Sequence, residues 1–285
     1  MKNSRKKARD LGPDDFVWDY FSRSPEDSMA ARVYAAEATG YDAIGIHLGG
    51  WASMKGHPDE VEKFDQALEE TGIPLANIET LRGWASPNGP DSKCLQMEQE
   101  VWDIAEKYEC RYVQVIGNYT GTVEEAAEGF ASLCDRAADH GLLVGLEAVP
   151  EMTNIETLGL AYEIVERANR DNGGLCFDSW HLTRSTNNVN DLEAIPGEKI
   201  LSTQWNDGPL KKVFDDYYTD TLSTRLPPGQ GEFSLREMIV AFRSIGSPAP
   251  VGIEVPSKEL WECPILDAAA AVSYTHLTLP TKRIV

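Results

Sequence analysis

The chain has 285 residues, 42% apolar and 25% charged, with 46 acidic residues against 26 basic ones and a formal net charge of −20. That composition suits a globular protein able to bury a sizeable core without disulfide or metal staples. A surface so acidic repels phosphate backbones and anionic lipid, which argues against nucleic-acid and membrane partners.

Residues 1–13 are a basic arm with no apolar run behind it, unlike a signal peptide. From residue 14 onward short apolar runs alternate with segments of helical period. The strand-like runs are 16–20, 43–47, 75–79, 112–116, 142–149, 174–178, 200–205 and 251–255. Helical stretches between them include 25–39, 59–71, 92–108, 123–140 and 156–169. The first of these has a start signal in Ser24-Pro25-Glu26-Asp27, a cap followed by proline and acids. Gly40, Gly72, Gly141 and Gly246 stand where helices should stop. A closing helix is expected over 259–272. The last thirteen residues, SYTHLTLPTKRIV, break the pattern and read as a non-native or disordered tail.

Eight such units predict either a closed (β/α)₈ TIM barrel or an open doubly wound sheet. The first strand leads into YFSRSPED, and no GxGxxG or GxxxxGK[ST] occurs in the chain, so the barrel, one domain over 14–272, is the expected fold. Strands such as LLVGLEAV are apolar almost throughout, as fits a sheet covered on both faces. Five scattered cysteines without a CxxC pair, and no run of about 18 apolar residues, predict a cytoplasmic protein.

Catalytic groups of such barrels lie at the C-terminal ends of the strands. There, Glu147, Asp178, Gln204 and Glu254 interrupt apolar runs on the fifth to eighth strands. A carboxylate so placed is costly to bury unless it is paired or bound to metal. Three carboxylates and an amide suit one hard divalent cation, Mg²⁺ or Mn²⁺ ahead of Zn²⁺ or Co²⁺. His181, three residues beyond Asp178, can face the same pocket as a general base. His47 and Glu79 end the second and third strands on the same face and are candidate substrate contacts. Arg225, in the loop RLPPGQGE, is expected to hold a substrate anion, with Lys211 and Lys212 nearby. The preceding stretch VFDDYYTDT is a candidate lid.

The ordered set GYDAIGIHLGG, VGLEAVPE, FDSWH, TQWNDG, RLPPGQGEFSL and GIEV resembles the xylose-isomerase-like barrels, which include sugar phosphate isomerases and epimerases. The resemblance implies a metal cage of Glu147, Asp178, Gln204 and Glu254, catalytic roles for His181, Glu147 and Glu254, and a small-molecule substrate; a homo-oligomer is compatible with it. Many epimerases of this kind carry histidine where this chain has Gln204, and many relatives carry glutamate at Gln230. The glutamine form is also similar to bacterial 3-dehydroshikimate dehydratases. The leading expectation is therefore a metal-dependent isomerase or epimerase of a sugar or polyol. A dehydratase, or a barrel that only binds a small ligand, is the alternative. Epimerisation calls for a second carboxylate across the substrate carbon, for which Glu151 is the nearest sequence candidate.

Overall fold

A computed structural model describes residues 6–86 and 89–273. The apolar runs form β1 (Phe16–Trp18), β2 (Ala43–His47), β3 (Leu75–Leu81), β4 (Tyr112–Val115), β5 (Leu143–Glu147), β6 (Gly173–Asp178), β7 (Ile200–Gln204) and β8 (Val251–Ile253). Each pairs in parallel with the next, from β1 to β7, and β1 also pairs with β8. Just past β7, Trp205 bridges Ile253 in parallel, and its N–H donates to the Gly252 carbonyl at 2.8 Å. The ring is closed, and the chain is a single-domain TIM barrel.

Among the described residues the helices are α1 (Met29–Thr39), α2 (Leu48–Lys55), α3 (Pro58–Thr71), α4 (Ser92–Tyr108), α5 (Val123–Ala138) and α6 (Leu158–Ala168), then α7 (Ser179–Arg184), α8 (Asn190–Glu193), α9 (Tyr217–Ser223), α10 (Leu235–Ser244), α11 (Lys258–Glu262) and α12 (Ile265–Ser273). Gly40 and Gly72 close α1 and α3 with φ of 86° and 65°, in the left-handed region that glycine accepts without strain. Two expected boundaries are corrected. The first helix starts at Met29, capped by Ser28, and not at Pro25. The buried Arg32 guanidinium donates to the carbonyls of Tyr20 and Ser24, at 2.6 Å each, and holds the chain between them in a turn. The closing helix is broken between α11 and α12, where Pro264 has no N–H to continue the ladder. The tail expectation falls almost wholly on residues 274–285, outside the described residues.

Side chains alternate along each strand, so two layers face the barrel interior. The lower holds Val17, Gly45, Asn77, Tyr112, Gly145, Cys176, Ser202 and Gly252. The upper, two residues on, is almost wholly polar: Asp19, His47, Glu79, Gln114, Glu147, Asp178, Gln204 and Glu254. Outward residues such as Ile46, Ile78, Val113, Leu146, Leu175 and Phe177 are fully buried under the helices and form the main core. The lower layer contains glycine because its neighbours need the space. A Cβ on Gly145 would lie 2.1 Å from the Tyr112 hydroxyl, and one on Gly252 only 1.9 Å from the Thr203 carbonyl.

Below the barrel, the arm makes a short 3₁₀ turn, Ala8–Asp10, and is fastened by Lys6 to Asp15 (2.6 Å) and Lys7 to Glu109 (3.0 Å). All five cysteines are free thiols. Among the described residues no helix is long and apolar enough to cross a membrane.

Gly252→Ala tests the closure. The added methyl must push β8 away from Thr203 and Asp19, so stability should fall by about 2 kcal/mol or more. Urea denaturation would read this as a lower midpoint; an unchanged midpoint would show that β7 and β8 can part freely.

Candidate metal centre and active site

The four sequence-picked residues at the ends of β5 to β8 form one buried network. Gln204 Nε2 donates to Glu254 Oε1 (3.1 Å), and Gln114 Nε2 donates to Glu147 Oε2 (2.7 Å) and more loosely to Gln204 Oε1 (3.4 Å). Arg225 ties Asp178 into this network, its Nη1 lying 2.7 Å from Asp178 Oδ2 and 2.9 Å from Glu254 Oε2. Asp178 also caps α7, accepting from the Trp180 N–H at 2.7 Å, and accepts from Asn206 Nδ2 at 2.9 Å.

Because α7 begins directly after β6, its first turn brings His181 back over the barrel axis. Nε2 lies 3.4 Å from Glu147 Oε1 and 3.5 Å from Asp178 Oδ2. The other ring nitrogen, Nδ1, is 2.7 Å from the Tyr217 hydroxyl of α9. Ligand atoms of Glu147, Asp178 and His181 all lie within 4.8 Å of one another, and this buried triad can hold a metal ion.

The electrostatics fit a cation. Asp19, Glu79, Glu147, Asp178 and Glu254 are each 5% exposed or less, and among the described residues Arg225 is the one guanidinium bonded to them. Burial, and then neighbouring carboxylates, push Asp19, Glu79 and Glu254 well above the ordinary range, against the pull of Asn77 on the first and Arg225 on the last. Asp178 goes the other way. Burial works to raise it, but Arg225, His181 and the Asn206 hydrogen bond together outweigh that and hold it low. An excess of oxygen donors with too few positive partners is what a divalent cation would relieve.

Other expected contacts fall in different places. His47 and Glu79 line the cavity above this network. His47 Nδ1 accepts from the Gly49 N–H at 3.0 Å, and burial, helped by Arg82, lowers its pKa to about 4. Glu79 accepts from Asn77 Nδ2, which also bonds Asp19. Arg225, expected to grip a substrate anion, lines the same cavity, where it is 2% exposed and engaged by Asp178 and Glu254. Lys211 is exposed and is not among the residues lining the cavity. Glu151 is also exposed, pairs with Lys212 and is not among the residues lining the cavity.

The sequence profile of the xylose isomerase-like TIM barrels matches residues 33–274. The chain belongs to that family. It is similar to the 3-dehydroshikimate dehydratase of Pseudomonas aeruginosa, 25% identical over 233 residues, which are 80% of this chain and 36% of that one. It is also similar to the inosose isomerase of Bacillus subtilis, 29% identical over 161 residues, 56% of each chain. The chain thus spans about a third to a half of the curated relatives it matches. Among solved structures, the IOLI protein with a bound zinc atom superposes with a TM-score of 0.78 at 21% identity, covering 93% of this chain and 97% of that one.

As in other barrels, the mouth of this xylose isomerase-like chain is built from loops after the strands. The cavity there, about 230 Å³, is bounded by apolar Phe21, Met152, Tyr218 and Leu222, with Glu147, Glu254 and His181 at its floor. Sequence reasoning passed over Arg82, which is exposed, lines this cavity just past β3 and has no carboxylate partner among the described residues. The expected lid is tied down. Asp220, fully buried, accepts from the Val213 and Phe214 N–H groups at 2.7 and 3.1 Å and from Arg184 Nε at 3.3 Å, so α9 is set beside His181.

A raised carboxyl pKa means that the folded state holds protons which the unfolded state has released. Its contribution to stability is therefore present below the ordinary value and lost as pH rises through the folded one. Asp19, Glu79 and Glu254 act in that sense; in the same site Asp178, and His47 with its pKa lowered to about 4, oppose them in part. Metal-free protein should lose stability as pH rises above the ordinary values of 3.8 and 4.5, and saturating Mn²⁺ should flatten the slope. Urea midpoints against pH, with and without chelator, would show this; a metal-free midpoint that climbs with pH would contradict the assignment.

Proposed function

We propose that the chain is a divalent-metal-dependent isomerase or epimerase of a sugar, sugar phosphate or related polyol, working by proton abstraction next to a carbonyl. The supporting observation is that Glu147 and Glu254 reach the floor of one cavity from β5 and β8, three strands apart in a ring of eight. Glu147, Asp178, Gln204 and Glu254 are the residues that would hold the ion, with His181 at the edge of the cage. The chemistry a bound divalent cation supplies is polarisation of the substrate carbonyl or its neighbouring hydroxyl.

The chain's own groups do the rest. Glu147 and Glu254 stand on different sides of the cavity, so one can accept a proton from a substrate carbon and the other can return one to the opposite face. His181 Nε2 is directed inward by the Tyr217 contact at Nδ1 and is placed to shuttle a hydroxyl proton. The apolar wall of Phe21, Met152 and Leu222 keeps bulk water from the exchanged proton.

Incubation with inososes and ketoses in D₂O should incorporate deuterium next to the carbonyl. A chelator should abolish this, Mn²⁺ or Mg²⁺ should restore it, and Glu254→Gln should lower it by about 10²–10⁴-fold. Exchange that persists without metal would sink the reading.

Two observations favour a second reading, metal-assisted dehydration of a cyclic hydroxy-keto acid. Arg82 is an unneutralised guanidinium at the cavity mouth, suited to a substrate carboxylate, and the similarity to the dehydratase spans more of the chain than that to the isomerase. Conversion of 3-dehydroshikimate to an aromatic, ultraviolet-absorbing product, with no exchange on the polyol panel, would replace the first reading with this one.

A further inference from the structure

The opposite end of the barrel holds a second cavity, of about 240 Å³. It opens at the N-terminal ends of the strands, between the arm and the first residues of β4, β5 and β7. Leu11, Leu143, Leu201 and Pro250 give it apolar walls, and Asn77, Tyr112 and Ser202 add polar groups on the barrel side. Two guanidiniums, Arg9 and Arg111, complete the lining, and both also border a neighbouring depression of about 290 Å³.

These two arginines differ from the two lysines of the arm. Lys6 and Lys7 are neutralised by Asp15 and Glu109 at 2.6 and 3.0 Å. Arg9 has only a loose contact with Asp10 at 3.8 Å, and no carboxylate pairs with Arg111 among the described residues, its Nε donating to the Gly141 carbonyl at 3.4 Å. In a chain of net charge −20, two under-neutralised guanidiniums converging on one mainly apolar hollow are a local reversal of the field. Planar guanidinium favours a carboxylate or phosphate oxygen pair. The volume, about eight waters at roughly 30 Å³ each, is below that of a drug-sized pocket and suits a single-ring occupant.

We propose that this cavity is a binding site for a small organic anion, a ring carboxylate or phosphate. Its anionic group is held by Arg9 and Arg111, and its ring lies against Leu11, Leu143, Leu201 and Pro250. The site is separate from the metal centre and does not depend on the proposed reaction. Residues 1–5, MKNSR, are basic and poorly matched to the arginine pair as an alternative occupant.

The test uses the full chain and 4-fluorobenzoate, observed by fluorine NMR. Binding in the millimolar range is expected, and it should weaken roughly tenfold or more in the double variant Arg9→Glu, Arg111→Glu. The same charge change at distant exposed sites, Lys93→Glu with Arg236→Glu, should leave it intact. The neutral 4-fluorobenzyl alcohol should bind much more weakly. Arg82→Ala, Glu254→Gln and chelator act only at the metal end, so binding should survive all three. Circular dichroism with a thermal melt checks that each variant is folded. No binding, including the case in which a chain terminus fills the hollow, would overturn the proposal. So would binding that Arg82→Ala removes and the Arg9/Arg111 pair does not.

Discussion

Five carboxylates converge inside the barrel mouth, and among the described residues a single guanidinium is bonded to them. That imbalance is the constraint from which most of the site follows. Arg225 spans Asp178 and Glu254 through one nitrogen, and the same side chain is anchored from behind by the Thr221 carbonyl and hydroxyl at 3.0 and 2.9 Å. Removing one member of such a buried set leaves a bare charge at a cost of about 3–5 kcal/mol, whereas the complete set roughly breaks even. The arrangement is therefore better understood as one that fixes the positions of the carboxylates, as a site able to hold a cation requires, than as a source of stability. Amides from Gln114, Gln204, Asn206 and Asn77 serve the same end, each donating to one or more of the acids.

The barrel was legible because its strands are covered on both faces and therefore written as apolar runs, which the eye separates readily from helical period. The end of each run marked the catalytic face, and a polar residue there was conspicuous. What connects distant parts of the chain was not legible. Nothing local to Arg225 says that its partners lie 47 and 29 residues away, and a Pro/Gly-rich loop reads as surface. The start of α1 was misplaced for the same reason, because Arg32 takes the Ser24 carbonyl that a helix beginning at Pro25 would use for its first bond. Gln114 did leave a signal, a lone amide within YVQVIG, equivalent in kind to Gln204. Arg82 was hidden because β3 runs two residues beyond Glu79, so the mouth of the barrel lay further along the chain than the apolar run suggested.

The two ends of the barrel also differ in what fills them. The upper interior layer is polar, while the lower one alternates glycines with larger side chains such as Tyr112 and Asn77 that cross into their space. Cys176 lies between, its thiol 3.5 Å from both Gln114 and Gln204 oxygens. The lower layer thus supports the carboxylate network from beneath, and a change of volume there is felt by the amides that orient the acids.

Asp220 has a consequence for motion at the mouth. Val213 and Phe214 expose their side chains, at 58% and 44%, yet both donate their backbone N–H to this buried carboxylate. Solvent contact and amide hydrogen exchange should thereby be uncoupled: the loop is wet outside, but the Val213 and Phe214 amide protons should exchange only when Asp220 lets go. Since Asp220 belongs to α9, as does Tyr217 against His181, the loop and the histidine should open together as one cooperative unit rather than residue by residue.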